Sequence, residues 1–301
     1  MEAAMKSVAQ FVRDGISDIP TLQAALQTAL QLEFSTIPPY LCAQWSIDPN
    51  NDQSDVTDLI RDIAIQEMSH LALAGNILAA IKGTPRLTDP GFVPSYPTNA
   101  LPGDIAQHLP VDLKPLSSDQ LQVFMQIELP EFPPIEFAAL VQPPTTIGEF
   151  YTTLSDAISA ISPPIDVNAH QIIAGEATAI RSVPDAVAAI AKIKGEGEGT
   201  PQSPDQPSGQ LAHFYVFREI FRGRTADGTA IQMPTVFPFA PSSATPDPSA
   251  AFNATLRRLL ANIEACWASG ASFGPVRGAM SNLESQGTDL ITHHIRPGFT
   301  P

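Results

Sequence analysis

The chain is poor in cysteine, in positive charge and in long apolar runs, and each shortage removes a class of protein. Cys42 and Cys266 are far apart and lack CxxC spacing. A disulfide framework is therefore not expected, and both read as small core residues. Lys and Arg number 16 against 31 Asp and Glu, a formal net charge of −15. Nucleic-acid binding needs a basic footprint, so no nucleic-acid partner is expected. The longest apolar run, 71–81, is too short to cross a bilayer and contains Gly75 and Asn76. No membrane partner is expected. The opening MEAAMKSVAQFVRDG has no apolar stretch of the secretory kind, so the expected location is the cytoplasm. No repeat of fixed period is visible. Charged residues make up only 16% and hydrophobic ones 44%, a globular composition and not a disordered one.

Proline, by contrast, is abundant, with 30 residues. They cluster between segments of helical periodicity, which predicts a helical core joined by long, stiff connections. Over 20–47, Leu22, Leu26, Ala29, Glu33 and Ile37 share a face, and Pro38-Pro39 predicts a kink or a restart at Tyr40–Trp45. Over 55–82 the stripe runs Leu59, Ile63, Glu67, His70, Ala74, Ile77, Ile81, with a cap at Ser54 or Asp55 and a stop at Gly83. A short helix follows a Ser117/Ser118 cap with Leu121, Phe124 and Glu128 on one face. Thr146–Ile161 has helical spacing, another helix is expected from Pro184 to about Lys194, and Gln210–Phe221 resumes the period. Two helices close the chain, one through Phe252, Leu256, Leu259, Ile263 and Trp267, the other through Val276, Met280, Leu283 and Leu290.

The chemistry lies in polar residues that interrupt apolar stripes. Glu67 and His70, three apart on a helix, share one face, so a carboxylate oxygen and an imidazole nitrogen can meet at one ion. Charges on a buried seam are costly unless paired or metal-bound. Glu33 interrupts a second stripe on another helix. Carboxylate-bridged metal bundles take one Glu from each of two helices and Glu-x-x-His from each of the other two. His213 belongs to a further helix, but Gln210 stands where that pattern wants Glu. For the remaining carboxylate, periodicity leaves Glu128 and Glu196 both open. Taken singly, each of these residues reads rather as a hydrogen-bonded core group or a solvent-facing one; it is the set that points to a metal. Tyr40, Trp45 and Tyr215 read as core aromatics or as neighbours of an oxidising metal.

At these positions the chain resembles the ferritin-like domain of the iminophenyl-pyruvate dimer synthases of bisindole pigment pathways, such as violacein and rebeccamycin. The resemblance is carried by LQLEFSTIPPYL from Leu30, by QEMSH from Gln66 and LAGN from Leu73, and by IELPE from Ile127. It continues through TIGEFY from Thr146, Gly195-Glu196-Gly197, and LAHFY from Leu211. It spans most of 20–224 and, more loosely, the helices after 250. It implies an all-α, ferritin-like four-helix bundle with long Pro-rich insertions and additional C-terminal helices, one domain over 1–301. It further implies metal ligation by Glu33, Glu67, His70, Glu196 and His213, with Glu128 as a supporting residue or an extra ligand. Gln210 departs from the pattern and points to one metal ion as the alternative to two. The pigment enzymes are also much longer chains.

The function these features lead to is a non-haem iron oxidoreductase with one or two iron ions, manganese or zinc being the other candidates, acting on a small-molecule amine or imine. The alternatives are a non-enzymatic metal-binding or iron-handling bundle, and a metal-free helical protein with a degenerate site.

Overall fold

A computed structural model describes residues 6–105, 107–131, 146–199, 203–206 and 208–301. Among them are nine α-helices: α1 (Val8–Asp14), α2 (Ile19–Trp45), α3 (Val56–Ala80), α4 (Ser118–Ile127), α5 (Ile147–Ile161), α6 (Val183–Glu198), α7 (His213–Arg222), α8 (Ala250–Ser269) and α9 (Gly274–Thr292). The all-α class is as expected. Extended pairing among these residues is confined to isolated bridges.

Four helices close a ring: α2 packs on α3, α3 on α6, α6 on α5 and α5 on α2. The fourth wall is thus α5, not the His213 helix. Instead α7 pairs with α4 and leans on α3 and α6. α8 and α9 pack on each other, with α8 against α3 and α9 against α2. Residues 132–145, which hold Pro133 and Pro134 of the cluster beyond α4, lie outside the described set.

Local chemistry explains where the elements start and stop. Ser117 caps α4 and Thr146 caps α5, the latter with Glu149 in a reciprocal capping box. α3 is capped differently from the expectation. Asp55 takes a left-handed backbone and makes no side-chain cap bond, and the Asp52 carboxylate accepts from the Val56 and Thr57 amides instead. α6 passes through Gly195 and Gly197 to Glu198, four residues beyond the expected end, and stops at Gly199. α7 begins at His213, so Gln210 precedes the helix and is exposed.

α2 continues through Pro38 and Pro39 as one helix. Pro39 has no amide to offer the Ser35 carbonyl. The Tyr96 hydroxyl supplies the missing donor, 2.7 Å from Ser35 O. A group from the 84–115 excursion thus repairs the gap, which periodicity within α2 has no means of revealing.

The C-terminal pair is anchored on the far side of α3. Asn76, fully buried, accepts from Trp267 Nε1 at 2.9 Å and from the Ile172 amide at 2.8 Å, and donates to the carbonyls of Ile172 and Thr178. Trp267 lies flat over Gly75, where a Cβ would come within 2.2 Å of the indole. Trp45, Phe252 and Phe299 form an aromatic cluster that ties α8 and the chain end to α2. Both cysteine thiols are free and buried.

Candidate metal centre

The ring and the α4–α7 pair bring five ionisable side chains into one buried cluster. α2 contributes Glu33, α3 contributes Glu67 and His70, the end of α4 contributes Glu128, and the first residue of α7 is His213. They fall into two overlapping groups, Glu33–Glu67–His70 and Glu67–Glu128–His213, in each of which the ligand-type atoms lie within 4.8 Å of one another. His70 Nδ1 is 3.4 Å from Glu33 Oε2 and 3.6 Å from Glu67 Oε1. His213 Nδ1 is 2.8 Å from the same Glu67 oxygen and 3.7 Å from Glu128 Oε2. The two imidazoles lie nearly parallel, 5.6 Å apart at their centres. Glu67 therefore stands between two similar half-sites.

Each imidazole turns Nδ1 into the cluster and is held from behind by Nε2. For His70 the holder is Glu196, 2.8 Å away, which is itself paired with Lys192. Glu196 thus lies on the outer nitrogen of His70 and is not in either group, whereas Glu128 is. The reason is positional: Glu196 approaches from the last turns of α6, while Glu128, at the C-cap of α4, points inward beside α7. For His213 the holder is Gln66, 2.9 Å from Nε2, whose amide pairs with that of Gln206. Orientation of a histidine through its second nitrogen is the usual support for a metal ligand.

The carboxylates are held as well. The Tyr151 hydroxyl donates to Glu33, the Tyr40 hydroxyl donates to Glu128, and Thr36 Oγ1 lies 3.0 Å from Glu67 Oε2. Of these, Tyr40 is one of the three aromatics read from the sequence as core residues or neighbours of an oxidising metal, and it lies against Glu128. Tyr151, Thr36 and Gln66 lie within the TIGEFY, LQLEFSTIPPYL and QEMSH motifs, but nothing in their spacing marks them as site residues, because each only becomes a neighbour once distant helices pack. Trp45 and Tyr215 lie elsewhere: Trp45 belongs to the C-terminal aromatic cluster, and Tyr215 packs against Phe214 under the Arg218 guanidinium.

Proton affinities in the cluster are displaced from their ordinary values by burial and by the mutual pairing of carboxylates and imidazoles. Burial pushes Glu67 up to about 7, and the neighbouring Glu128 and Glu33 charges add to it. Burial works to lower His213, but Glu128 and Glu67 outweigh it and lift the ring to about 9. His70 is likewise raised by Glu196 and Glu33 in spite of its burial. For Glu196, burial acts upward, but His70 and Lys192 prevail and hold it down at about 2. His213 Nδ1 makes no well-aligned hydrogen bond among the described residues, although a Glu67 oxygen is 2.8 Å away. An imidazole nitrogen set between two carboxylates without a well-aligned hydrogen bond suits a place where a cation can replace the proton, and a three-carboxylate, two-imidazole set suits iron, manganese or zinc. The residues present fit such an ion.

Beside the cluster is a cavity of about 30 Å³, walled by Ile127, Leu129, Ile147 and Ile193, with Lys194 and Glu198 on its lining. Among the described residues, neither Pro-rich stretch, 84–115 or 222–248, contributes to it.

A family model described as Ferritin-like matches residues 26–222, from within α2 to the end of α7. No curated relative matches. Among solved structures, that of a ferritin like protein from Caulobacter vibrioides is similar, at 22% identity and a TM-score of 0.75. The match covers 95% of this chain and 100% of that one, so the shared fold extends beyond 26–222. With two thirds of its length accounted for by that family model and a carboxylate–histidine cluster inside the matched region, the chain belongs to the ferritin-like family.

Proposed function

We propose that the cluster holds two divalent metal ions of the iron type, one at Glu33, Glu67 and His70 and the other at Glu67, Glu128 and His213, and that the chain is a non-haem iron oxidoreductase. The observation that carries this reading is the shared position of Glu67 between two groups, each with a histidine braced from its outer nitrogen. Iron held there supplies redox chemistry toward dioxygen or peroxide. The protein's own part is to fix both imidazoles through Glu196 and Gln66. It also orients the carboxylates through Tyr40, Tyr151 and Thr36, and lines the adjoining space with the apolar side chains of Ile127, Leu129, Ile147 and Ile193. A small organic amine or imine is the substrate class taken from the resemblance to the iminophenyl-pyruvate dimer synthases, and membership of that narrower family is part of the proposal.

One observation favours a second reading. The space beside the cluster, about 30 Å³, is the size of a water or dioxygen molecule and not of an amine. An iron-handling protein needs no larger space, whereas an amine oxidase needs the Leu129–Lys194 side to give way.

Anaerobic Fe(II) titration of the untagged protein, followed by oxygen uptake, separates the readings. Two ions per chain are expected, none in Glu67→Ala, and one in either Glu33→Ala or Glu128→Ala. Oxygen uptake that rises when amines or imines are added supports the oxidoreductase. Uptake tied only to the Fe(II) supplied supports iron handling. Equal and negligible iron, manganese and zinc in wild type and Glu67→Ala would sink both.

A further inference from the structure

The layer made by α2 and α3 has a second side. On α2, Glu33, Thr36 and Tyr40 belong to the carboxylate cluster, while Phe34, Ile37 and Leu41 line a separate cavity of about 500 Å³. On α3, Glu67 and His70 face the cluster, while Ala64, Met68 and Ala72 face that cavity. Both sets recur at steps of three and four, so they are two stripes of the same helices. The opposite wall comes from α8 and α9, beyond the region matched by the family model, through residues such as Leu259 and Met280.

This cavity has the character of a ligand site. Its volume falls within the range of roughly 300–1,000 Å³ typical of small-molecule pockets, and its lining is mostly aliphatic and aromatic. Three charged side chains lie on it, Arg61, Arg277 and Glu284. Arg61 is 3.6 Å from Asp58 in an exposed pair of the kind that contributes little. The Arg277 guanidinium lies over the Phe273 ring at 5.7 Å and makes no ion pair among the described residues. Arg61 and Arg277 together set two cationic groups on the lining against the single carboxylate of Glu284, a local excess of positive charge in a chain whose net charge is −15.

We infer that this cavity binds a single-chain amphiphile of the fatty-acid kind, with the hydrocarbon body between α2–α3 and α8–α9 and the anionic head at Arg277. The α2–α3 layer separates such a ligand from the carboxylate cluster, so the inference is independent of what occupies that cluster.

The test is calorimetric titration of the full chain with decanoate and, separately, with 1-decanol, in wild type, Arg277→Glu and Ala72→Phe. Saturable one-to-one binding of decanoate is expected in wild type. Arg277→Glu should weaken decanoate by about tenfold and leave decanol unchanged, the effect of reversing one head-group charge. Ala72→Phe places a ring in the cavity and should weaken both ligands. If Ala72→Phe does not fold, the comparison of acid with alcohol on Arg277→Glu decides alone, because Arg277 is exposed. No saturable binding by wild type overturns the proposal. So does decanoate binding that Arg277→Glu leaves intact, or sedimentation behaviour in which a second copy of the chain covers this face and decanoate fails to displace it.

Discussion

At Glu67 and His213 the cluster's chemistry is written as proton affinity. Glu67 is raised from 4.5 to about 7 and His213 from 6.5 to about 9. A group whose pKa is raised by folding contributes stability below its unfolded value and loses it as pH climbs through the folded one. For both groups the metal-free chain therefore loses stability as pH increases, Glu67 over about 4.5 to 7 and His213 over about 6.5 to 9. A metal ion competes for the same oxygens and nitrogens, so its binding releases protons and strengthens with pH. The expected outcome is a melting temperature of metal-free protein that falls between about pH 6 and pH 9, and a gain on adding Fe(II) or Zn(II) that grows over the same interval. Differential scanning calorimetry in matched buffers checks both. A gain that shrinks with pH would mean that the ion binds elsewhere.

At the scale of single elements, the helix interrupted by two prolines is the instructive case. Tyr96 supplies the donor that Pro39 withholds from Ser35, in a buried place where an unmet carbonyl is costly. Tyr96→Phe is expected to destabilise the chain by about 1–3 kcal/mol in denaturant unfolding, since it removes the partner and keeps the ring. A change indistinguishable from zero would show that α2 tolerates the gap unaided. Helix positions were largely legible from periodicity, because Leu22, Leu26 and Ala29, or Ile63, Ala74 and Ile77, repeat at helical steps and are buried as that predicts. Helix ends were less so. Gly195 and Gly197 read as a stop, yet α6 runs on to Glu198, and packing against α5, α3 and α7 outweighs the roughly 1 kcal/mol per glycine that propensity predicts. The place of Gln210 in the ligand pattern failed for a related reason: spacing has meaning only inside a helix, and α7 starts three residues later.

At the scale of the whole molecule, the helices bring Glu33, Glu67, His70 and His213 together, all four named from stripes in the sequence. Between Glu128 and Glu196 periodicity left the choice open and the resemblance favoured Glu196; that it is Glu128 that falls in a group with Glu67 and His213 depends on how α4 and α6 approach α3 and not on either helix's own pattern. The large cavity was equally hidden, since Phe34 and Met68 look like ordinary core residues until α8 and α9 are in place. The docking of that C-terminal pair has its own test. Gly75→Ala would press a methyl group onto the Trp267 indole, and a loss of about 1–3 kcal/mol is expected, with unchanged metal stoichiometry. Thermal unfolding together with metal analysis checks it; loss of metal alongside stability would mean that the two sides of α3 are not mechanically separate.

Because α2 and α3 serve as a party wall, neither helix has a stretch along its middle that is free to vary. Adjacent residues such as Glu33 and Phe34, or Glu67 and Met68, answer to different neighbours. A redesign that rotated either helix by even a fraction of a turn to improve one compartment would misalign the other. New specificity is therefore more readily introduced from the outer partners, α4 and α7 on one side and α8 and α9 on the other, than from the partition itself.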